Sequence, residues 1–285
     1  VTADPSRLDR RLHPYKADIA ARYLEGQVKA ERFVEGVLHR VVEPVSDMLD
    51  TPDANARSTQ ALYGEAFVVY QTQGCWAWGQ LLTDNYVGWI HAHALVAHDE
   101  RSVPTHLVRT PLTRACDNTI KVLGTDGLSM GAQLRVTDAA IKVGGSSAQF
   151  AQCDAGTIPS AHLQPIDTPV EDWVSMAQLF AHTPYSWGGR SGVGIDCSAL
   201  VQIGLQQAGV ACPRDSDMQE STLGITIDRE EGLRRGDLVF WPGHVGIMQD
   251  EATLFHANAF AMSTVPEALK VVEMRAGAAR TVKRL

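Results

Sequence analysis

The chain has no apolar run long enough to cross a bilayer as a helix, so a membrane-spanning role is not expected. It is short of positive charge. Its 25 Lys and Arg stand against 33 Asp and Glu, a formal net charge of -8. No basic stretch is available to follow a nucleic-acid backbone or an anionic membrane, so neither is expected as a partner. Cysteine is scarce: Cys75, Cys116, Cys153, Cys197 and Cys212 are an odd number at irregular spacing, with no C-x-x-C. That argues against a disulfide framework or a zinc site and for a reducing compartment, hence a cytoplasmic location. Cys75, between Gly74 and Trp76 in a strand-like run, reads as packing. No apolar run follows the charged start (Asp4, Arg7, Asp9, Arg10, Arg11), so no signal peptide is visible. A mature chain with its signal removed would look the same.

What is present is the composition of an ordinary globular protein, 45% hydrophobic and 20% charged. Residues 1–40 are polar, with a short helix expected over Ala17–Gly26. From 41 to 166 the chain reads as short strands and turns. Landmarks recur there: Gly88-Trp89-Ile90 then Leu95 as Gly156-Thr157-Ile158 then Leu163, Pro44-Val45 as Pro111-Leu112, and Leu62-Tyr63-Gly64 as Leu128-Ser129-Met130-Gly131. Their offsets are 68, 67 and 66 residues. This predicts two copies of a small β-barrel, at 41–100 and 101–166. Trp76, Trp78, Tyr86 and Trp89 cluster in the first, as barrel core or as a ligand-facing wall. His91, His93 and His98 lack a completing Cys or carboxylate, so no metal is expected.

Gln164 to Asp167 reads as a linker, and 167–285 as a further domain. A helix is expected there with Thr168 as cap, Pro169 as first residue and Glu171 closing a capping box; Trp173, Met176, Ala177 and Phe180 form its buried stripe. A glycine-rich loop, Gly188-Gly189 to Gly194, runs into Asp196-Cys197-Ser198. There a second apolar helical pattern starts, through Leu200, Val201, Leu205 and Ala208 to Gly209. Cys197 thus lies in a first helical turn, where free N–H groups and the macrodipole favour a thiolate. Strands follow: Leu238–Trp241, a Pro242-Gly243 turn, His244–Met248 and Thr253–His256, with Ala279–Leu285 as an edge strand. Helices first and antiparallel strands after make an α+β domain. A hairpin centred on Asp250 places His244, six residues before it, opposite His256, six after. One imidazole can then take the thiol proton while the other holds its ring.

Tyr185-x-Trp187-Gly188-Gly189, Asp196-Cys197-Ser198-x-Leu200-Val201, Gly236-Asp237-Leu238-Val239-Phe240, Gly243-His244-Val245-Gly246-Ile247 and His256-Ala257, in that order, resemble the NlpC-type papain-like cysteine peptidases. The resemblance covers about 168–285. It implies Cys197 as nucleophile, His244 as base, His256 as its orienting residue and Tyr185 as an oxyanion donor. With two SH3-like modules in front, the chain resembles the subgroup that cuts γ-D-glutamyl-diamino acid bonds in murein tri- and tetrapeptides with a free N-terminal L-alanine. That resemblance implies Glu65 and Tyr86 from the first module, and Asp196, Ser198, Asp215 and Ser216, as pocket residues, with Asp196 on the substrate ammonium. No cofactor is implied. The alternatives left open are an exported hydrolase of polymeric peptidoglycan, a non-catalytic wall-binding protein, and thioester acyl transfer on the same fold.

Overall fold

The computed structural model describes residues 8–99, 103–117, 119–121 and 127–285. Seven strands from Val37 to Ala97 form one antiparallel sheet. They are Val37–Val41, Val45–Leu49, Arg57–Leu62, Ala66–Gln73, Trp76–Leu81, Val87–His91 and Leu95–Ala97, in spatial order third, second, sixth, fifth, fourth, first, seventh. The sheet curls over Val41, Met48, Phe67, Leu81 and Ile90. Its two end strands do not pair with each other, so it is an open sheet and not the closed barrel expected.

The stretch 106–165 packs around its own core of Val108, Leu128, Leu134 and Ile158. It is divided among small sheets of two and three strands, again with no closed barrel among the described residues. The sequence landmarks fall in like places. Val87–His91 leads through a 3-10 turn at Ala92–Ala94 into Leu95–Ala97, and Gly156–Pro159 leads through Ser160–His162 into Leu163–Pro165. Gln164 and Pro165, read as linker, therefore belong to a strand.

The N-terminal helix is not formed. Ala20–Ala21 pairs in parallel with Phe33–Val34, followed by a 3-10 turn at Arg22–Leu24. Ile19, Ala20 and Ala21 are all fully buried. Three consecutive enclosed residues suit an extended strand, whereas an amphipathic helix would expose one of them. Cys75 does not pack; it is exposed in the turn after Gly74.

In the last domain, helix α1 (Trp173–Gln178) starts later than expected. Its cap is Asp172, which accepts from the Ser175 N–H at 3.1 Å. The Val170 N–H instead donates to the Gln207 carbonyl at 3.0 Å, which holds the Thr168–Pro169 stretch off the helix axis. Helix α2 (Cys197–Gln207) ends where Gly209 turns to φ +70°. Helices α3 (Ser216–Thr222) and α4 (Leu269–Ala276) complete the set. The sheet is six-stranded and antiparallel, ordered Ile225–Thr226, Thr281–Arg284, Leu238–Trp241, His244–Met248, Thr253–Asn258, Ser263–Ala268. The C-terminal strand is thus one place in from the edge. α2 lies on the sheet through Ala199, Leu200, Ile203, Phe240, Val245, Ile247 and Phe255.

Candidate active site

Cys197 is the first residue of α2. Asp196 caps that helix, its Oδ1 accepting from the Ala199 N–H at 2.8 Å. Cys197 is buried, at 7% exposure, with the backbone N–H groups of Val245 and Ser198 at its sulfur. Val245 follows His244, so the sulfur lies beside the histidine strand. Burial, then the Asp196 charge, push the Cys197 thiol up to about 12; the Val245 and Ser198 N–H groups and Arg214 offset only part of this. The helix terminus is therefore outweighed by desolvation, contrary to the expected thiolate.

His244 directly follows the Pro242-Gly243 turn, whose Gly243 has φ +73°. That is the arrangement of a type II turn, with Pro second and Gly third. Trp241 pairs with His244 across it. The hairpin to the next strand is centred on Glu251 and not Asp250, because Ile247 pairs with Phe255 and Met248 with Leu254. The two histidines are thus diagonal neighbours on one sheet face instead of directly opposed. They still meet: His244 Nε2 lies 2.8 Å from His256 Nδ1. Burial, then His256 and Arg275, bring His244 down to about 4, with Asp196 and Glu267 pulling the other way. Burial also lowers His256, against Glu267. Thiol and imidazole are both driven toward their neutral forms.

A cavity of about 400 Å³ opens on Cys197. It is lined by Tyr185, Trp187, Asp196, Ser198 and Gly243 of the last domain, Asp215, Ser216 and Asp217 at the start of α3, Arg57, Ser58 and Tyr86 of the seven-stranded sheet, and Arg11. Of the expected pocket residues, Tyr86, Asp196, Ser198, Asp215 and Ser216 are therefore brought together, along with Tyr185, the expected oxyanion donor. Burial and the nearby Cys197 push Tyr185 up to about 12, so its hydroxyl stays protonated.

Two expectations change. Glu65 does not reach the cavity. Its carboxylate is 1% exposed and takes two bonds from Arg190, at 3.1 Å each, and one from the Leu62 N–H. It is a bolt between the first sheet and the last domain. Asp196 lines the cavity, but Arg214 already holds both its oxygens, at 3.0 and 2.6 Å, and the Gly188 N–H and the Ser198 hydroxyl donate to it as well. Its charge is neutralised before a substrate arrives. The open charge sits next door. Arg11 Nη1 meets Asp215 at 2.8 Å, Arg11 Nη2 meets Asp217 at 2.8 Å and Asp9 at 2.7 Å, and the Tyr86 hydroxyl donates to Asp215 at 3.2 Å. Three carboxylates around one guanidinium leave this cluster with an excess of negative charge. Burial raises Asp215, opposed by Arg214, Arg11 and Tyr86.

Sequence reasoning missed Arg11, Arg57, Arg214 and Asp217. Arg214 and Asp217 lie in the polar run from Pro213 to Asp217, which is a local signal; nothing local marks the other two. The glycine loop also makes room for a neighbouring unit. A Cβ on Gly188 (φ +70°) would lie 2.9 Å from the Arg57 carbonyl, so this glycine admits the neighbouring sheet. Arg57 then bonds the Trp187 carbonyl at 2.8 Å and the Ser186 hydroxyl. A larger cavity, of about 790 Å³, lies among Leu12, Tyr70, Leu82 and Cys212 and holds none of this chemistry.

A helix-borne cysteine set against paired histidines on an antiparallel sheet defines the class: the papain-like thiol peptidases. Residues 182–271 match the NlpC/P60 family, and residues 48–95 match the bacterial dipeptidyl-peptidase Sh3 domain. Probable endopeptidase NlpC of Escherichia coli is 32% identical over 108 residues, 35% of this chain and 69% of that protein. The chain belongs to the NlpC/P60 family. Gamma-D-glutamyl-L-lysine dipeptidyl-peptidase of Bacillus cereus is 28% identical over 207 residues, 66% of this chain and 61% of that protein. Dipeptidyl-peptidase 6 of Lysinibacillus sphaericus is 40% identical over 90 residues, 31% of this chain. The chain spans 32% of the length of that protein, and 61% of the Bacillus cereus one. The fold resembles the crystal structure of an NlpC/P60 family protein from Bacillus cereus, with a TM-score of 0.71, 19% identity, and coverage of 87% of this chain and 99% of that one.

Proposed function

We propose that the protein is a thiol endopeptidase that hydrolyses the γ-D-glutamyl-diamino acid bond of free murein peptides with an N-terminal L-alanine, in cell-wall peptide recycling. The observation that carries the proposal is that one cavity is lined both by Cys197 and by the carboxylates Asp215 and Asp217. A substrate ammonium suits that cluster, since a buried cation needs an anionic partner. The recognition assigned to Asp196 from the sequence moves to Asp215, with Ser198 and Ser216 beside it and Tyr86 covering it. Support also comes from the Bacillus cereus relative, whose name specifies γ-D-glutamyl-L-lysine. A cytoplasmic location belongs to the same reading and draws on five unpaired cysteines. The second β unit, whose elements parallel the first, enters this reading as a divergent SH3-like copy.

In the proposed reaction the Cys197 proton passes to His244, and the sulfur attacks the γ-carbonyl carbon. The Tyr185 hydroxyl and the Cys197 N–H receive the developing oxyanion. The carbon–nitrogen bond breaks as His244 returns its proton to the leaving amine, giving a thioester. Water, deprotonated by His244, then attacks the thioester and frees the dipeptide carboxylate and the thiol. Incubation with L-Ala-γ-D-Glu-diaminopimelate and, separately, with intact sacculi, read by mass spectrometry, tests the proposal. Release of L-Ala-γ-D-Glu from the free peptide supports it. Turnover of sacculi alone replaces it with a hydrolase of polymeric wall, and turnover of neither removes it.

A further inference from the structure

The histidine pair does not end at His256. His256 Nε2 lies 2.9 Å from Glu267 Oε2. Glu267 is on the adjacent strand, where it pairs across from Leu254, while His256 pairs with Val265. His256 and Glu267 are therefore diagonal neighbours on one face, the same relation that joins His244 to His256. Arg275 of α4 holds both Glu267 oxygens, at 2.9 Å each, and its guanidinium lies 4.0 Å over the Phe260 ring. Glu267 is held in one orientation from behind.

This chain sets a preference for which ring nitrogens carry protons. Arg275, first among the causes, brings Glu267 down to about 2, so it is a carboxylate and only accepts. His256 Nε2 must then carry a proton. His256 Nδ1 is left as a lone pair, so the hydrogen bond at 2.8 Å requires the proton on His244 Nε2. His244 Nδ1 keeps the free lone pair that a base for Cys197 needs. The opposite arrangement has a sponsor. The Asn258 Oδ1 accepts from the Ala261 N–H at 2.8 Å, which turns the Asn258 amide NH₂ toward His256 Nε2 at 3.0 Å. Without Glu267, that NH₂ would draw the lone pair to Nε2, move both ring protons along the chain and leave His244 Nδ1 protonated.

We infer that Glu267 is a positioning residue of the site: through His256 it fixes the tautomer of His244 and supplies the anionic charge that supports its imidazolium. The inference rests on His244 acting as the base proposed above. The charged groups facing the pair are Asp196 at the start of α2, Glu267 on its strand and Arg275 on α4. Removing the Glu267 charge therefore lowers the His244 titration, and removing Arg275 raises it.

The test is ¹⁵N-¹H NMR of histidine-labelled full chain, which needs no substrate. Wild type shows both imidazoles protonated at Nε2. Glu267→Ala moves both to Nδ1, with kcat about a hundredfold down and KM within about threefold. Glu267→Gln, which keeps the shape, lowers the His244 titration midpoint by about one pH unit, and Arg275→Gln raises it by about half a unit. Opposite signs are not produced by a general loosening of the strand. Unchanged tautomers in Glu267→Ala, or shifts of one sign in Glu267→Gln and Arg275→Gln, overturn the inference. If wild type cleaves no peptide, the proposed function fails, and the spectra still decide the tautomers.

Discussion

The two walls of the cavity are built differently. The catalytic wall is assembled from close neighbours in sequence: His244 and His256 are 12 residues apart, and His256 and Glu267 are 11. The opposite wall is assembled from distant ones. Tyr86 and Asp215 are 129 residues apart and Arg11 and Asp215 are 204; behind this wall, outside the cavity, Glu65 and Arg190 are 125 apart. Hairpin register fixes the first wall, so residue spacing carries its geometry. Docking of one unit on another fixes the second, and no local pattern encodes it.

The contrast yields a graded set of expectations. On the catalytic wall, Cys197→Ala lowers kcat by about 10⁴-fold or more with the melting curve unchanged, measured by steady-state assay and thermal scan. Residual turnover near the wild-type level would move the nucleophile elsewhere. On the docking wall, Glu65→Ala strands the buried Arg190 charge and costs about 3–5 kcal/mol in urea unfolding. A loss below about 1 kcal/mol would show the two units to be loosely joined. At the meeting of the walls, Asp215→Asn raises KM for a free-amine peptide by about ten- to hundredfold, through loss of about 1.5–3 kcal/mol of charged hydrogen bonding, with kcat within about twofold. A fall confined to kcat would place Asp215 with the catalytic groups instead.

The smallest effect is on stability against pH. His244 and His256 are held below their unfolded value near 6.5, so the folded chain binds fewer protons than the unfolded one. Their contribution is complete above 6.5 and is lost as pH falls through about 4, so urea midpoints decline across that window. Replacing His256 with Gln makes the decline shallower. An unchanged slope would mean that neither ring is desolvated as the geometry requires.

The catalytic wall was legible for the same reason that it is compact. The apolar spacing of α2, the Pro242-Gly243 turn and the two histidines at fixed distances from one hairpin carried the arrangement, with a hairpin centre off by one residue, which shifts the register by two and so left the histidines on the same face. Glu267 escaped notice because a carboxylate in an edge strand carries no period of its own. On the other wall, Tyr86 and Asp215 were named and do meet, yet Glu65 was assigned to the ligand and instead meets Arg190. Composition cannot tell a carboxylate that binds a substrate from one that binds the protein; only the partner 125 residues away decides. Asp196 shows the same ambiguity inside one motif, since Arg214 consumes its charge. The β units were legible as a repeat of landmarks but not as barrels, because closure depends on which end strands meet.

The measurement that bears most directly on the joined walls is kcat/KM for L-Ala-γ-D-Glu-diaminopimelate against its N-acetylated form, in wild type and Asp215→Asn. The negative cluster beside Cys197 predicts a preference for the free amine of about a hundredfold in wild type, falling to near unity in the variant. Equal rates on both peptides in wild type, or a preference that survives Asp215→Asn intact, would contradict it.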